Sequence, residues 1–209
     1  MTPTPPNPEG PAASGPMTEF DPGVLSDSAS CPFCRIVAAY PPYDPAVAPA
    51  SDSDVVNPEA ISPEPATFVV LSTPLVIAFL DIMPLSQGHL LLCTRAHRPK
   101  LSDVTPAESL ELGRYLPILS SAVVQATDIK DWNVVQNNGA AAAQVVPHMH
   151  FHIIPRPDLK DARRERFTAT MFGRGARQEL DEEEATPLAE KVRQAVAQHI
   201  KHAEGKHKL

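Results

Sequence analysis

The chain predicts an α+β domain, an antiparallel sheet covered on one side by helices. Three observations carry that reading. The run Pro147-His148-Met149-His150-Phe151-His152-Ile153-Ile154-Pro155 alternates imidazole with apolar side chains, and strict alternation is the period of a strand. Residues 67–71 and 76–80 (TFVVL and VIAFL) are rich in β-branched and aromatic types, with Ser72-Thr73-Pro74 as the turn between them. Thr105-Pro106-Ala107-Glu108 is a capping box with proline at the first helical position, and Leu112, Leu116, Leu119 and Val123 follow it at helical spacing.

Composition sets the bounds. The chain has 209 residues and 24 prolines, enough for one domain with material left for tails. Residues 1–30 carry Pro, Gly, Ser and Ala with few large apolar residues, and read as a disordered tail that cannot offset its ordering entropy. That tail has no apolar core of a signal peptide and, acidic and without Arg, is unlike a transit peptide. No apolar run approaches membrane-spanning length. The expected protein is soluble and cytoplasmic, with the nucleus also open to it. A net charge of −7 argues against a sequence-independent nucleic-acid binder, which needs a basic footprint. Three cysteines in such a chain suggest metal or redox chemistry rather than a disulfide scaffold.

Taken in order, the folded part opens at Cys31-Pro32-Phe33-Cys34. A lone CxxC stays open between zinc site, redox pair and coincidence. Residues 41–65 are rich in Pro, Ala, Ser and Asp without periodicity, and read as an inserted, flexible loop of no assigned function. After the two first strands come Asp81-Ile82-Met83-Pro84, then Gly88-His89 and a third strand, in which Cys93 is a core residue and His89 a structural one. The capped helix should run to about Ala126, with a kink at Pro117. Residues 132–136 read as a strand entering the turn Asn137-Asn138-Gly139, and alanines lead on to Gln144. In the triad strand a rise of about 3.3 Å per residue places the imidazoles about 6–7 Å apart on one face, the other face being buried. Beyond Pro157 the chain turns charged. Met171-Phe172-Gly173-Arg174-Gly175 reads as a surface loop, and Thr186-Pro187 as the start of a helix striped by Leu188, Val192, Val196 and Ile200.

His148 to Ile154 matches at every position the His-x-His-x-His-x-x signature with apolar x, and so resembles the histidine-triad (HIT) superfamily of nucleotide hydrolases and transferases. The resemblance covers roughly residues 31–157 without the 41–65 loop, and leaves both tails outside. It implies a HIT-like fold and a homodimer with two nucleotide sites. In the zinc-binding branch a CxxC joins a central histidine and the first triad histidine, which here gives Cys31, Cys34, His97 and His148. Such a closed set makes the zinc structural. By the same resemblance Phe79 and Ile82 wall the base pocket, Asp81 takes the ribose hydroxyls, Asn137 reaches the sugar and Gln144 contacts phosphate. The family usually has Gly-Gln-Ser or Gly-Gln-Thr where this chain has Ala143-Gln144-Val145. That departure bears on the leaving group more than on the reaction class.

Neutral imidazole is a competent nucleophile near pH 7. The resemblance makes His150 the nucleophile toward the α-phosphorus, with His152 hydrogen-bonding a phosphate oxygen or the leaving group and Gln144 stabilising developing charge. The expected activity is release of AMP from purine nucleoside 5′-phosphoramidates through a nucleotidyl-histidine. The alternatives are a diadenosine polyphosphate hydrolase and a nucleotide-binding scaffold protein with little catalysis. The branch of hexose-phosphate nucleotidyltransferases carries Gln at the position of His152. Neither nucleic acid nor membrane is an expected partner.

Overall fold

The computed structural model describes residues 28–60, 66–158 and 179–206. The tail reading, except for 28–30, and the loop expected at 171–175 lie outside the described residues. Five strands, β1 (Val69–Ser72), β2 (Val76–Leu80), β3 (Leu90–Thr94), β4 (Asp131–Gln136) and β5 (His150–Arg156), form one sheet in the order β1-β2-β3-β5-β4. All four pairings are antiparallel. Three helices join them, α1 (Pro32–Ala39), α2 (Pro106–Thr127) and α3 (Glu182–Lys206). Among the described residues no helix is long and apolar enough to cross a membrane.

Local chemistry explains the boundaries. At the start of α2, Glu108 N–H donates to Thr105 Oγ1 at 3.3 Å and Thr105 N–H to Glu108 Oε2 at 2.8 Å, the reciprocal box that satisfies two orphan donors. The helix runs through Pro117 without interruption and ends at Asp128, which takes a left-handed φ of 56°. Helix α3 begins a turn before the expected Thr186-Pro187. Asp181 Oδ1 accepts from Glu183 N–H at 2.9 Å and Glu184 N–H at 3.2 Å, and the acidic first turn suits the positive end of the helix dipole.

One face of the sheet carries the main core. Leu112, Leu119 and Val123 of α2 and Leu188, Val192 and Ile200 of α3 close over Val70, Leu92, Met149 and Ile153. Each such side chain contributes about 1.5–3 kcal/mol by leaving water, so this face anchors β5 and fixes which way its imidazoles point. Gly88 sits where α2 crosses. Its φ is +82°, and a Cβ there would come within 2.8 Å of Thr127 Cγ2 and 2.9 Å of Val123 Cγ2. The opposite face is covered in part by α1, through a second cluster including Cys31, Phe33, Tyr40, Val56, Ile77, Phe79 and Cys93.

The loop expected to be flexible is instead tied down over residues 41–60. Buried Arg193 of α3 donates to Pro49 O at 3.0 Å, Ser51 Oγ at 2.8 Å and Val69 O at 2.9 Å. Tyr43 N–H donates to Ser72 O at 2.9 Å, and the Tyr40 hydroxyl lies 2.9–3.2 Å from the carbonyls of Asn57, Pro58 and Thr67. These bonds lay the loop along the outer edge of β1. A buried guanidinium needs acceptors, and the loop's backbone provides them.

Candidate active site and metal centre

Antiparallel register assembles the site in rows. Phe79, Leu91, His152 and Val135 stand opposite one another across β2, β3, β5 and β4, and Ile77, Cys93 and His150 form the adjacent row. The ladder of β5 begins at His150 rather than His148, but Met149 N–H donates to Arg98 O at 2.6 Å, so the chain stays pinned ahead of the strand. A cleft of about 650 Å³ lies over this face, within the range of small-ligand sites. Its lining includes His150, His152, Phe79, Asp81, Ile82 and Asn137, six of the seven residues expected to bind or transform a nucleotide.

The seventh, Gln144, does not line the cleft. It is buried at 4 % exposure, its Oε1 accepts from Gly139 N–H at 2.6 Å, and its Nε2 donates to Pro99 O at 2.7 Å and Val146 O at 3.1 Å. Its neighbours Ala143, Val145 and Val146 form that wall instead. Ala143 takes φ 60°, ψ 28°, a left-handed conformation that costs a residue with Cβ about 1–2 kcal/mol. This is the position at which the resemblance puts glycine and this chain has alanine.

The hydrogen bonds set the protonation of the imidazoles. His150 Nδ1 lies 2.6 Å from His148 O. A carbonyl can only accept, so Nδ1 carries the hydrogen and Nε2 keeps its lone pair. Burial pulls the pKa of His150 down, against the opposing pull of that carbonyl, which keeps the ring neutral. Phe33 of α1 sets its edge against His150 and Phe79, with ring centroids at 5.1 and 5.4 Å. At His89, Leu85 N–H donates to Nδ1 at 3.1 Å, so the ring hydrogen sits on Nε2, 3.0 Å from His152 Nδ1. When both rings are neutral, His152 therefore accepts there and carries its own hydrogen on Nε2. Asp81 Oδ1 accepts from Met83 N–H at 2.8 Å, while Oδ2 stands 3.3 Å from His89 Nδ1 as an ion-pair partner when that ring is protonated.

His89, read from sequence as structural, thus touches the reactive row, and Phe33 was missed altogether. Phe33 could have been found from its place inside the CxxC. The contact of His89 with His152 spans 63 residues and has no local signature.

Cys31, Cys34, His97 and His148 converge as expected, with their donor atoms all within 4.8 Å of one another. Cys31 Sγ is 3.4 Å from His148 Nδ1, and Cys34 Sγ is 3.3 Å from His97 Nδ1 and 3.6 Å from His148 Nδ1. A tetrahedral zinc ion with ordinary Zn–S and Zn–N bonds separates S and N by about 3.6 Å, so the donor set fits that ion. His148 Nε2 donates to Thr94 O at 2.8 Å, which leaves Nδ1 bare toward the thiols, the second bond that orients a metal-binding imidazole. Burial, above all, pushes the His148 pKa down to about 4. Burial and the neighbouring Cys31 push the Cys34 thiol up to about 12, so a cation is what would draw the thiolate out.

The His-x-His-x-His run thus sits on a central strand with two of its three imidazoles lining one cleft, the arrangement that marks a histidine-triad protein. The family model for the HIT domain matches residues 62–159. The chain is 39% identical over 114 residues to adenosine 5′-monophosphoramidase HNT1 of Saccharomyces cerevisiae, a match covering 54% of this chain and 70% of that protein. It is 36% identical over 106 residues to adenylylsulfatase HINT3 of Arabidopsis thaliana, covering 51% of this chain and 54% of the relative, so it spans about half the length of that protein. Among solved structures, a Zn-bound histidine triad family protein from Mycobacterium smegmatis superposes with a TM-score of 0.55 over 85% of this chain and 99% of that one. At 20% identity that likeness is one of fold. The chain belongs to the HIT family.

Proposed function

We propose that this protein is a nucleotide hydrolase that cleaves purine nucleoside 5′-phosphoramidates to AMP and an amine. One observation carries the reading: the Nδ1–H of His150 is spent on His148 O, so the lone pair of Nε2 belongs to the cleft. In the first step Nε2 attacks the α-phosphorus, the P–N bond to the amine breaks, and the leaving nitrogen takes a proton from His152 Nε2 in its imidazolium form, which returns to the neutral ring; the positive charge of that form is shared through His89, whose Nδ1 faces Asp81 Oδ2. In the second, His152 accepts a proton from water. The hydroxide oxygen bonds to phosphorus, and the bond from phosphorus to His150 Nε2 breaks to release AMP. Phe79 and Ile82 take the base, Asp81 the ribose hydroxyls and Asn137 the sugar edge. Asp81 already holds Met83 N–H, and a carboxylate has lone pairs to spare for two hydroxyls.

Cys31, Cys34, His97 and His148 would hold a zinc ion. Bound there, the ion supplies cross-linking of α1 to the strand and no step of the reaction. A homodimer is part of the same reading. The open edge strand β4 exposes Trp132 and Val134 by 42 % and 46 %, and among the described residues nothing bonds its outward backbone groups. Sedimentation of a dimer by the wild type and a monomer by Trp132→Glu is the expected pair of results; a monomeric wild type removes the dimer from the proposal.

A second reading keeps the mechanism and changes the leaving group. Arg35 and Arg156 line the cleft and suit an anionic leaving group, and one relative carries the name adenylylsulfatase. AMP release from adenosine 5′-phosphoramidate, diadenosine polyphosphate and adenylylsulfate, assayed side by side, separates the possibilities. Preference for the first is expected. Preference for either of the others moves the protein to the anionic reading, and AMP binding without turnover of any makes it a scaffold.

A further inference from the structure

A glutamine amide has two N–H donors and one carbonyl acceptor. In Gln144 the donors go to Pro99 O at 2.7 Å and Val146 O at 3.1 Å, and the acceptor takes Gly139 N–H at 2.6 Å. Nothing is left to donate to a phosphate oxygen. What the amide does instead is visible in the segments it joins. Gly139 and Val146 bracket the loop whose Ala143, Val145 and Val146 wall the cleft. Pro99 stands two residues after His97, a member of the metal set. Leu101 N–H donates to Asn138 Oδ1 at 2.9 Å and Met149 N–H to Arg98 O at 2.6 Å, so the same two segments are stitched at both sides of the glutamine.

We propose that Gln144 is a positioning residue, not a phosphate ligand: it couples the Cys2His2 metal set to the wall of the cleft. A metal on His97 holds the chain at 97–101, and that chain holds Gln144. Through Gln144 the loop at 139–146 keeps its distance from His150. Coupling of this kind is reciprocal, so a nucleotide against the wall tightens the metal. The nucleotide half of the proposal rests on reading the cleft as a purine nucleotide site; the metal half does not.

The test uses the full chain, zinc-loaded and zinc-depleted, as wild type, Gln144→Ala and Gln144→Glu. The glutamate keeps the acceptor for Gly139 and loses the donors to Pro99 and Val146, and it keeps the test alive should the alanine variant fold poorly. Zinc affinity is read by competition with a chromophoric chelator, and both variants are expected to bind zinc about ten-fold more weakly. AMP affinity is read by calorimetry. Zinc depletion should weaken it about ten-fold in the wild type and less than about two-fold in the variants. Variants that hold zinc within about two-fold of the wild type overturn the proposal. So does weakened AMP binding whose dependence on zinc is intact, the behaviour of a direct phosphate ligand. Zinc-loaded wild type that binds no AMP defeats the nucleotide-site reading, while the zinc measurements still decide whether Gln144 supports the metal set.

Discussion

His148 and His150 are two residues apart on one face of one segment, yet their hydrogen bonds run in opposite senses. His148 gives its Nε2–H to Thr94 O and turns Nδ1 to the thiols of Cys31 and Cys34. His150 gives its Nδ1–H to His148 O and turns Nε2 to the cleft. Burial lowers the pKa of both, so burial does not distinguish them. The difference lies in which nitrogen meets a carbonyl. One carbonyl leaves Nδ1 of a neutral ring facing two thiols, and another leaves Nε2 of its neighbour facing the cleft.

The largest expected break in that comparison is His150→Ala. It should lower AMP release by about 10³-fold or more while AMP still binds, as measured by steady-state assay beside calorimetry. Replacing Cys34 by Ala should act in the other compartment, with loss of zinc by elemental analysis and several kcal/mol of stability in denaturant titration. If the two substitutions gave the same profile, the division between the histidines would fail. Phe33→Ala touches both, since its ring is 5.8 Å from His148 and 5.1 Å from His150. About 3 kcal/mol of stability should be lost, with a rise in KM larger than any fall in kcat.

Behind His97, Arg98 Nε bonds both oxygens of Glu108 at 3.2 and 3.1 Å. Burial raises the carboxyl pKa, but bonds from Thr105 and Arg98 outweigh it and the net shift is downward. A depressed pKa stabilises the fold above the unfolded value and is lost as pH falls through the folded one. Glu108→Gln should therefore cost about 2 kcal/mol at neutral pH, with the gap to wild type closing below about pH 4.3 in urea titrations across pH. Ala143→Gly should be the smallest effect, a gain of about 1 kcal/mol from relieved left-handed strain, read as a rise in midpoint temperature.

Elements governed by local chemistry were legible in advance. Strand β2 ran as expected over residues 76–80, the capping box placed α2, and alternation put His150 and His152 on the cleft face with Met149 and Ile153 buried behind. What escaped was long-range. The loop over 41–60 looks like a linker by composition, but its fastener is Arg193, 144 residues beyond Pro49. Gln144 stands where a phosphate ligand was expected, and its side chain is consumed by Pro99, 45 residues earlier. The metal set was legible only because resemblance supplied the pairing; a CxxC alone left it open.

The outer edge of β1 is occupied. Tyr43 N–H donates to Ser72 O and Arg193 to Val69 O, whereas among the described residues nothing bonds the outward edge of β4 at the opposite end of the sheet. A sheet with one blunted end can be extended once and no further. In the proposed dimer two copies meet edge to edge through β4, and each covers the other's open edge. Growth would then terminate at the pair, so the clamp that fastens a proline-rich loop would also guard the proposed dimer against stacking into fibres.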